Sequence, residues 1–255
     1  GAPGAHLGRH AAPHGVHELH GAHQSGLCAA VLVEPWLHRG GPAIVLGARP
    51  ASGVCGVLDD AVVSIAVPCN TMKINLGFMT ALKEIERLSA KPIRFTFFPN
   101  EYGVGHLSTE KRLRSFFPTA VVARRTGYEA YLNMLNQHHL ALSPFPFGNA
   151  TSTIDCMVLG LPVISLIGAE PHSRSDYDIL ASLGLAEYCV ADSVENYVHG
   201  VVRYINEPGL LEELRAMVAS KQFMDLHQQN ENEFSDEMCK ALNWAYANQN
   251  EVRGP

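Results

Sequence analysis

Several short motifs that mark common nucleotide and hydrolase sites are absent from this sequence. It contains no Walker lysine motif, no Gly-x-Gly-x-x-Gly after a predicted strand, no Gly-x-Ser-x-Gly and no His-Glu-x-x-His. Its six cysteines form no Cys-x-x-Cys pair. Scattered cysteines in a chain of 255 residues indicate buried thiols in a reducing compartment, not a disulfide framework or a zinc site.

Long apolar runs and a strong excess of charge are also missing. The longest apolar run, 157–169, is interrupted by Gly160 and Pro162, so we expect no membrane span. The net charge of −6 argues against a nucleic-acid or membrane-surface binder. Short basic clusters at 111–114 and 124–125 are predicted to be solvated surface. The N-terminus lacks the basic and then apolar order of a signal peptide, so we expect a cytoplasmic location.

Residues 1–60 differ in composition from the remainder and are predicted to be an atypical, disordered segment. Glycine, alanine, histidine and proline dominate there, and seven of the thirteen histidines precede residue 40. A histidine stripe on a helix could hold a metal ion. Because glycines and a proline interrupt the stretch, helix propensity is poor and we expect no metal. A single folded domain is predicted over 61–255.

From residue 61 onward, predicted strands alternate with predicted helices. The strands are predicted at 61–67, 93–98, 119–123, 139–142, 162–167 and, short, at 188–190. The helices are predicted at 78–88, 109–117, 127–135, 153–159 and 174–183, followed by a helical C-terminal tail at 194–205, 209–220 and 232–246. This alternation predicts an α/β fold with a Rossmann-like parallel sheet.

Three polar loops, 69–75, 99–107 and 143–153, each follow a predicted strand. Because the carboxyl ends of parallel strands meet at one edge of a sheet, we expect these loops to form a ligand site together.

The stretch 143–155, Ser-Pro-Phe-Pro-Phe-Gly-Asn-Ala-Thr-Ser-Thr-Ile-Asp, predicts a strand end, a tight turn and a helix start. Unpaired N–H groups and the positive end of the dipole make a helix start an anion site. Thr151 and Ser152 add hydroxyl donors, and Gly148 allows close approach of backbone to a ligand. We therefore predict a nucleotide diphosphate here. The alternative is an ordinary helix capped by Asn149 or Thr151.

Four further residues at this edge have side chains suited to a nucleotide. Lys73, in an otherwise uncharged loop, could neutralise phosphate charge, and Asp155 could accept hydrogen bonds from ribose hydroxyls. His172 and Asp176 lie in a polar cluster after the fifth strand, and His106 is a weaker candidate. Each also has a plain interpretation as a surface lysine, a carboxylate on a helix dipole or part of a capped helix start.

These motifs resemble the C-terminal, nucleotide-sugar-binding half of the bacterial cytoplasmic N-glycosyltransferases that modify high-molecular-weight adhesins, which are related to the O-linked GlcNAc transferases. The resemblance is carried by Thr71-Met-Lys73, by Pro-Phe-Pro-Phe-Gly-Asn ending at Asn149, by Asp155 six residues later, and by Gly-Ala-Glu with His172. Two positions depart from the family: its usual Asn-Gly in the turn is Thr151-Ser152 here, and its second histidine after Gly-Ala-Glu is Arg174.

The resemblance implies a GT-B enzyme that transfers a hexose, typically glucose from UDP-glucose, to asparagine side chains of an acceptor protein. The anomeric centre is inverted without a metal or other cofactor. Lys73 would be the catalytic cation, and the UDP-sugar would be held by Thr71, Lys73, Gly148, Asn149, Thr151, Ser152, Asp155, His172 and Asp176. The acceptor-side half of the GT-B fold has no counterpart in residues 1–60. A UDP-sugar-binding fragment without turnover and a nucleotide-sugar epimerase are the alternatives.

Overall fold

Six parallel strands form the central sheet in this computed structural model, which describes residues 61–221, 236 and 238–248. The strands are β1 (Val63–Val67), β2 (Ile93–Phe97), β3 (Val121–Val122), β4 (Leu140–Leu142), β5 (Val163–Leu166) and β6 (Val190–Ala191). All their pairings are parallel, in the order β3-β2-β1-β4-β5-β6. The predicted α/β fold class is confirmed. The predicted segment 1–60 and most of 222–237 lie outside the described residues.

Helices connect the strands as parallel pairing requires. They are α1 (Leu76–Leu88), α2 (Gly103–Phe116), α3 (Tyr128–Leu135), α4 (Ala150–Leu159), α5 (Ser175–Ser182), α6 (Ala186–Cys189), α7 (Val194–Asn206) and α8 (Leu210–Ser220). Two 3₁₀ turns, Thr71–Lys73 and Pro171–Ser173, follow β1 and β5. Residues 238–247 are also helical.

The core lies between the sheet and the apolar faces of these helices. In α1, Phe78, Leu82 and Ile85 recur at helical spacing and are fully buried. The helix begins where the Asn75 side chain accepts a hydrogen bond from Phe78 N at 3.0 Å. Next to β1, Phe95 of β2 packs edge-on against Phe117 at a centroid distance of 5.0 Å.

The strand order reverses direction between β1 and β4, and this reversal positions the site. In open parallel sheets, a crevice forms at the carboxyl ends of the two strands where the connections diverge to opposite faces. The loop that contains Lys73 follows β1, and the loop that contains Gly148 follows β4. The topology therefore places these two loops side by side.

Two predicted helix starts are wrong. Helix α2 begins at Gly103, so His106 is a buried helical residue and not a loop residue. Two glycines lower local helix propensity, but packing of His106, Thr109 and Leu113 on one buried face outweighs it. Helix α4 begins at Ala150 and not at residue 153. A helix, α6, also occupies the start of the strand predicted at 188–190.

No helix in the described ranges combines the length and the apolar character needed to cross a membrane. Cys69, Cys156 and Cys189 are buried free thiols, and Cys239 is an exposed one. Cys28 and Cys55 lie outside the described residues.

Tyr197 of α7 links the helical C-terminal part of the domain to the loop after β4. Its side chain is fully buried, and its hydroxyl donates to Ser143 O at 3.0 Å. Its ring also packs edge-on against Phe145 at a centroid distance of 5.4 Å.

We expect Tyr197→Phe to lower the free energy of unfolding by about 1–2 kcal/mol, because the buried Ser143 carbonyl loses its donor. Urea unfolding followed by circular dichroism measures this change. Tyr102→Phe, at a ring that is 76% exposed, is the matched control and should change stability by less than about 0.5 kcal/mol. Equal stability of Tyr197→Phe and wild type would contradict the role of this hydrogen bond.

Candidate functional site

A cleft of about 980 Å³ lies at the carboxyl edge of the sheet. The loops after β1, β2, β3 and β4, the first turns of α4 and the Pro171–Ser173 turn contribute to its walls. Its volume is at the upper end of the range found for small-molecule and cofactor sites. The cleft is therefore large enough for a nucleotide that carries a second group.

Lys73 joins the loops after β1 and β4. Its ammonium nitrogen donates to Gly148 O at 2.6 Å and to Asn149 Oδ1 at 3.3 Å. An ammonium group has three N–H donors, so one remains beyond these two bonds. Within the ranges that the structure describes, no carboxylate forms an ion pair with Lys73. Its positive charge is held at the cleft without a neutralising partner in contact.

The first turn of α4 faces the cleft without a side-chain cap. Asn149 occupies the N-cap position, but its side chain makes no capping hydrogen bond. The Asn149 amide instead contacts Lys73 through Oδ1 and donates to Pro68 O. The simple capped helix considered as the alternative is therefore not what the structure contains. Ala150, Thr151 and Ser152 line the cleft, where their N–H groups and the helix dipole favour an anion.

A side chain larger than that of glycine would be crowded at position 148. A Cβ atom there would lie 2.7 Å from Ser175 Oγ and 3.2 Å from Asp176 Oδ2. Gly148 N donates to His172 O at 3.0 Å, which joins this loop to the Pro171–Ser173 turn. We call Lys73, Gly148, Asn149 and the first turn of α4 the anion end of the cleft.

Asp176 organises the anion end from beneath. Its fully buried carboxylate accepts hydrogen bonds from Ser143 Oγ, from Asn149 N at 2.9 Å and from Thr153 Oγ1 at 3.1 Å. Burial raises the pKa of Asp176, while these donors and the nearby charge of Lys73 act in the opposite direction. Asp176 does not line the cleft, so the structure places it as a positioning residue and not in ligand contact.

Asp155 lines the cleft farther along α4 and is almost fully buried. Tyr128 Oη donates to Asp155 Oδ1 at 2.6 Å, and Tyr131 lies close enough to influence this carboxylate. Burial raises the pKa of Asp155 to about 6, against the lowering effect of the two tyrosines. A carboxylate with lone pairs turned to a cleft can accept hydrogen bonds from vicinal hydroxyls.

The structure brings together most of the residues predicted from sequence. Seven of them line the cleft: Lys73, Gly148, Asn149, Thr151, Ser152, Asp155 and His172. Thr71 does not line it; its buried hydroxyl lies beside Glu101, and the Thr71 and Thr109 hydroxyls lower the pKa of Glu101. The ligand roles of these residues stay predictions.

The sequence interpretation missed the loop after β3. Arg124 and Arg125, predicted to be solvated surface, line the cleft together with Thr126. The signal was available, because this loop also follows a parallel strand. With Lys73, the two arginines give the lining three permanent cations, against the single carboxylate of Asp155. The cleft therefore favours an anionic ligand although the chain carries a net charge of −6.

We expect Asp176→Asn to lower the free energy of unfolding by about 2–4 kcal/mol, because an amide would direct N–H groups at buried donors. Urea unfolding measures the loss. Asp178→Asn on the same helix, at a half-buried side chain, is the control and should have an effect below about 0.5 kcal/mol. Equal effects of the two substitutions would refute the organising role of Asp176.

Comparisons with known proteins agree with the geometry. The chain is 34% identical over 144 residues to "UDP-glucose:protein N-beta-glucosyltransferase" of Actinobacillus pleuropneumoniae, in both serotype 5b and serotype 7. Each match covers 56% of this chain and 23% of the relative, so the chain spans under a quarter of the curated relatives' length. No protein-family model matches the chain.

The fold is shared with a solved glycosyltransferase. A mutant O-GlcNAc transferase of Thermobaculum terrenum superposes with a TM-score of 0.61 at 18% identity, over 76% of this chain and 38% of the transferase. The GT-B-type fold and the resemblance predicted from the Pro-Phe-Pro-Phe-Gly-Asn signature are thereby confirmed. The chain is homologous to part of the UDP-glucose:protein N-β-glucosyltransferases and shares the fold of an O-GlcNAc transferase.

Proposed function

We propose that this chain is the nucleotide-sugar-binding part of a glycosyltransferase that transfers a hexose, glucose in the first instance, from a UDP-sugar to asparagine side chains of an acceptor protein. One observation carries the proposal: the Lys73 ammonium group and the first turn of α4, which has no side-chain cap, meet beside Gly148 at the cleft. The similarity to named protein N-glucosyltransferases supports the choice of donor and acceptor.

The two phosphates of UDP would occupy the anion end. A lysine ammonium and helix N–H groups complement phosphate oxygens by charge and by hydrogen bonding. Asp155, farther along α4, would accept hydrogen bonds from the ribose hydroxyls, and the loop containing Arg124 and Arg125 would face the nucleoside. No metal or cofactor is needed for this arrangement, and their absence from the reaction stays a prediction.

The chemistry follows from the position of these groups. In the transfer, the acceptor amide nitrogen bonds to the anomeric carbon of the hexose while the bond from that carbon to the β-phosphate oxygen breaks. The amide nitrogen loses a proton to solvent, and UDP leaves with the electron pair of the broken bond and therefore with an additional negative charge. Lys73 and the α4 N–H groups lie where that charge develops, and preorganised stabilisation of this kind contributes strongly to catalysis. Lys73 is thus the proposed catalytic residue.

Lys73→Met should weaken UDP binding by about tenfold to hundredfold, because a charge-assisted hydrogen bond to phosphate is lost. Isothermal titration calorimetry with UDP measures the effect. Lys111→Met, at an exposed lysine of α2, is the matched control and should leave the affinity unchanged. Uridine, which lacks phosphate, should bind both variants as it binds wild type. A UDP affinity that does not fall in Lys73→Met would remove Lys73 from the site.

The affinity for UDP-glucose should rise with pH through about 6 and then level off. Burial raises the pKa of Asp155 to about 6, so the carboxylate that accepts ribose hydrogen bonds forms only above that pH. UDP-glucose is the suitable ligand because its diphosphate diester does not titrate between about pH 5 and pH 8. Titrations across this range should show the rise in wild type and a flat profile in Asp155→Asn. The same profile in both would exclude Asp155 as the titrating group.

Turnover needs a separate assay. Mass spectrometry of an Asn-x-Ser/Thr peptide incubated with the chain and UDP-glucose tests whether this part transfers hexose on its own, which a gain of one hexose would establish. Binding of UDP-glucose without transfer would favour the alternative, a UDP-sugar-binding fragment. The cytoplasmic location expected from the sequence also stays a proposal.

A further inference from the structure

Two exposed aromatic rings lie together beside the anion end. The rings of Phe147 and His172 have centroids 4.7 Å apart and an angle of 32° between their planes. His172 is exposed and lines the cleft, whereas Phe147 is 49% exposed at its margin, next to the lining residue Gly148. We call this pair the aromatic rim. Neither ring is required by the core, since both lie outside the buried cluster.

The aromatic rim is fixed to the anion end by backbone. Phe147 directly precedes Gly148, and Gly148 N donates to His172 O at 3.0 Å. The carbonyl oxygen of Gly148 accepts a hydrogen bond from Lys73 Nζ at 2.6 Å. A group bonded directly to a phosphate at the anion end therefore lies within reach of these rings.

The direction in which the UDP-sugar lies along α4 determines which of its groups would reach the aromatic rim. Asp155 lies five residues beyond Ala150, about 7 Å along the helix axis. With the ribose at Asp155 and the diphosphate at the first turn, the donor continues past the start of α4. The hexose is the part that follows the β-phosphate, and the aromatic rim lies on that side of the helix start.

We propose that the aromatic rim is the subsite for the hexose of the sugar nucleotide, with the exposed Phe147 ring packing against a C–H face of the pyranose. This inference rests on the proposed function. A glucopyranose has apolar C–H faces that stack on aromatic rings, and its hydroxyls project from the edges. The His172 imidazole and the Ser175 hydroxyl, which both line the cleft, are placed to bond such hydroxyls. Phe147 is then a specificity-determining residue for the sugar and not for the nucleotide.

Calorimetric titration of wild type, Phe147→Ala and Phe147→Trp with UDP and with UDP-glucose tests the assignment. In Phe147→Ala, the affinity for UDP-glucose should fall about threefold to tenfold while that for UDP stays unchanged. Phe147→Trp, which retains an aromatic face, should restore UDP-glucose binding. Leu107→Ala, at a side chain 58% exposed on α2, is the control and should shift neither ligand.

Two results would overturn the assignment. If Phe147→Ala weakens UDP and UDP-glucose equally, the ring supports the loop and not the sugar. If neither affinity changes, the rim contacts something other than the donor. Thermal melting of each variant shows whether it is folded. Wild-type chain that binds neither ligand would refute the proposed function itself, a result distinct from both.

Discussion

The buried carboxylate of Asp176 is the interaction on which the candidate site depends. It collects donors from the end of β4, from the N-cap of α4 and from the first turn of that helix. A charge in the protein interior is costly unless hydrogen bonds compensate it, and here those bonds come from the loop that the site uses. The backbone after β4 is therefore fixed before any ligand arrives. Lys73 then meets a carbonyl, Gly148 O, whose position is already determined.

This preorganisation separates the groups that support the site from those that face the cleft. Asp176 and Tyr197 contact the loop from the interior, whereas Lys73, Asp155 and the arginines after β3 line the open side. The distribution of charge follows the same division. The interior carboxylate is compensated by hydroxyls and backbone, and the cations remain on the surface of the cleft, where an anion gains most from them.

Much of this arrangement could be predicted from the sequence. The alternation of strands and helices predicts the parallel sheet, and the rule for carboxyl ends of strands brings Lys73 and Gly148 to one edge. The direction of individual side chains was less accessible. Asp176 follows a strand at the same edge as His172, yet it turns inward because Ser143, Asn149 and Thr153 of the stretch 143–155 offer donors from 23 to 33 residues earlier in the chain. Such a network has no local sequence signal.

Arg124 and Arg125 are exposed, as predicted, but their place at the cleft was not foreseen. A basic pair is most often solvated surface, and only the neighbouring position of β3 in the sheet shows that their loop reaches the cleft. The predicted start of α2 was wrong because it followed local propensity alone. Glycines near the start disfavour a helix there, but burial of His106 and Leu113 stabilises it.

The steric closure around Gly148 has a consequence for how such a domain can diversify. A Cβ atom at this position would crowd the side chains of Ser175 and Asp176, so the backbone path at the anion end has little room to change by substitution there. Under the proposed function, variation in the accepted sugar is then expected at neighbouring positions whose side chains have room, such as Phe147 and His172. The packing around Gly148 thus directs evolutionary change to the edge of the cleft and keeps the geometry of the anion end constant.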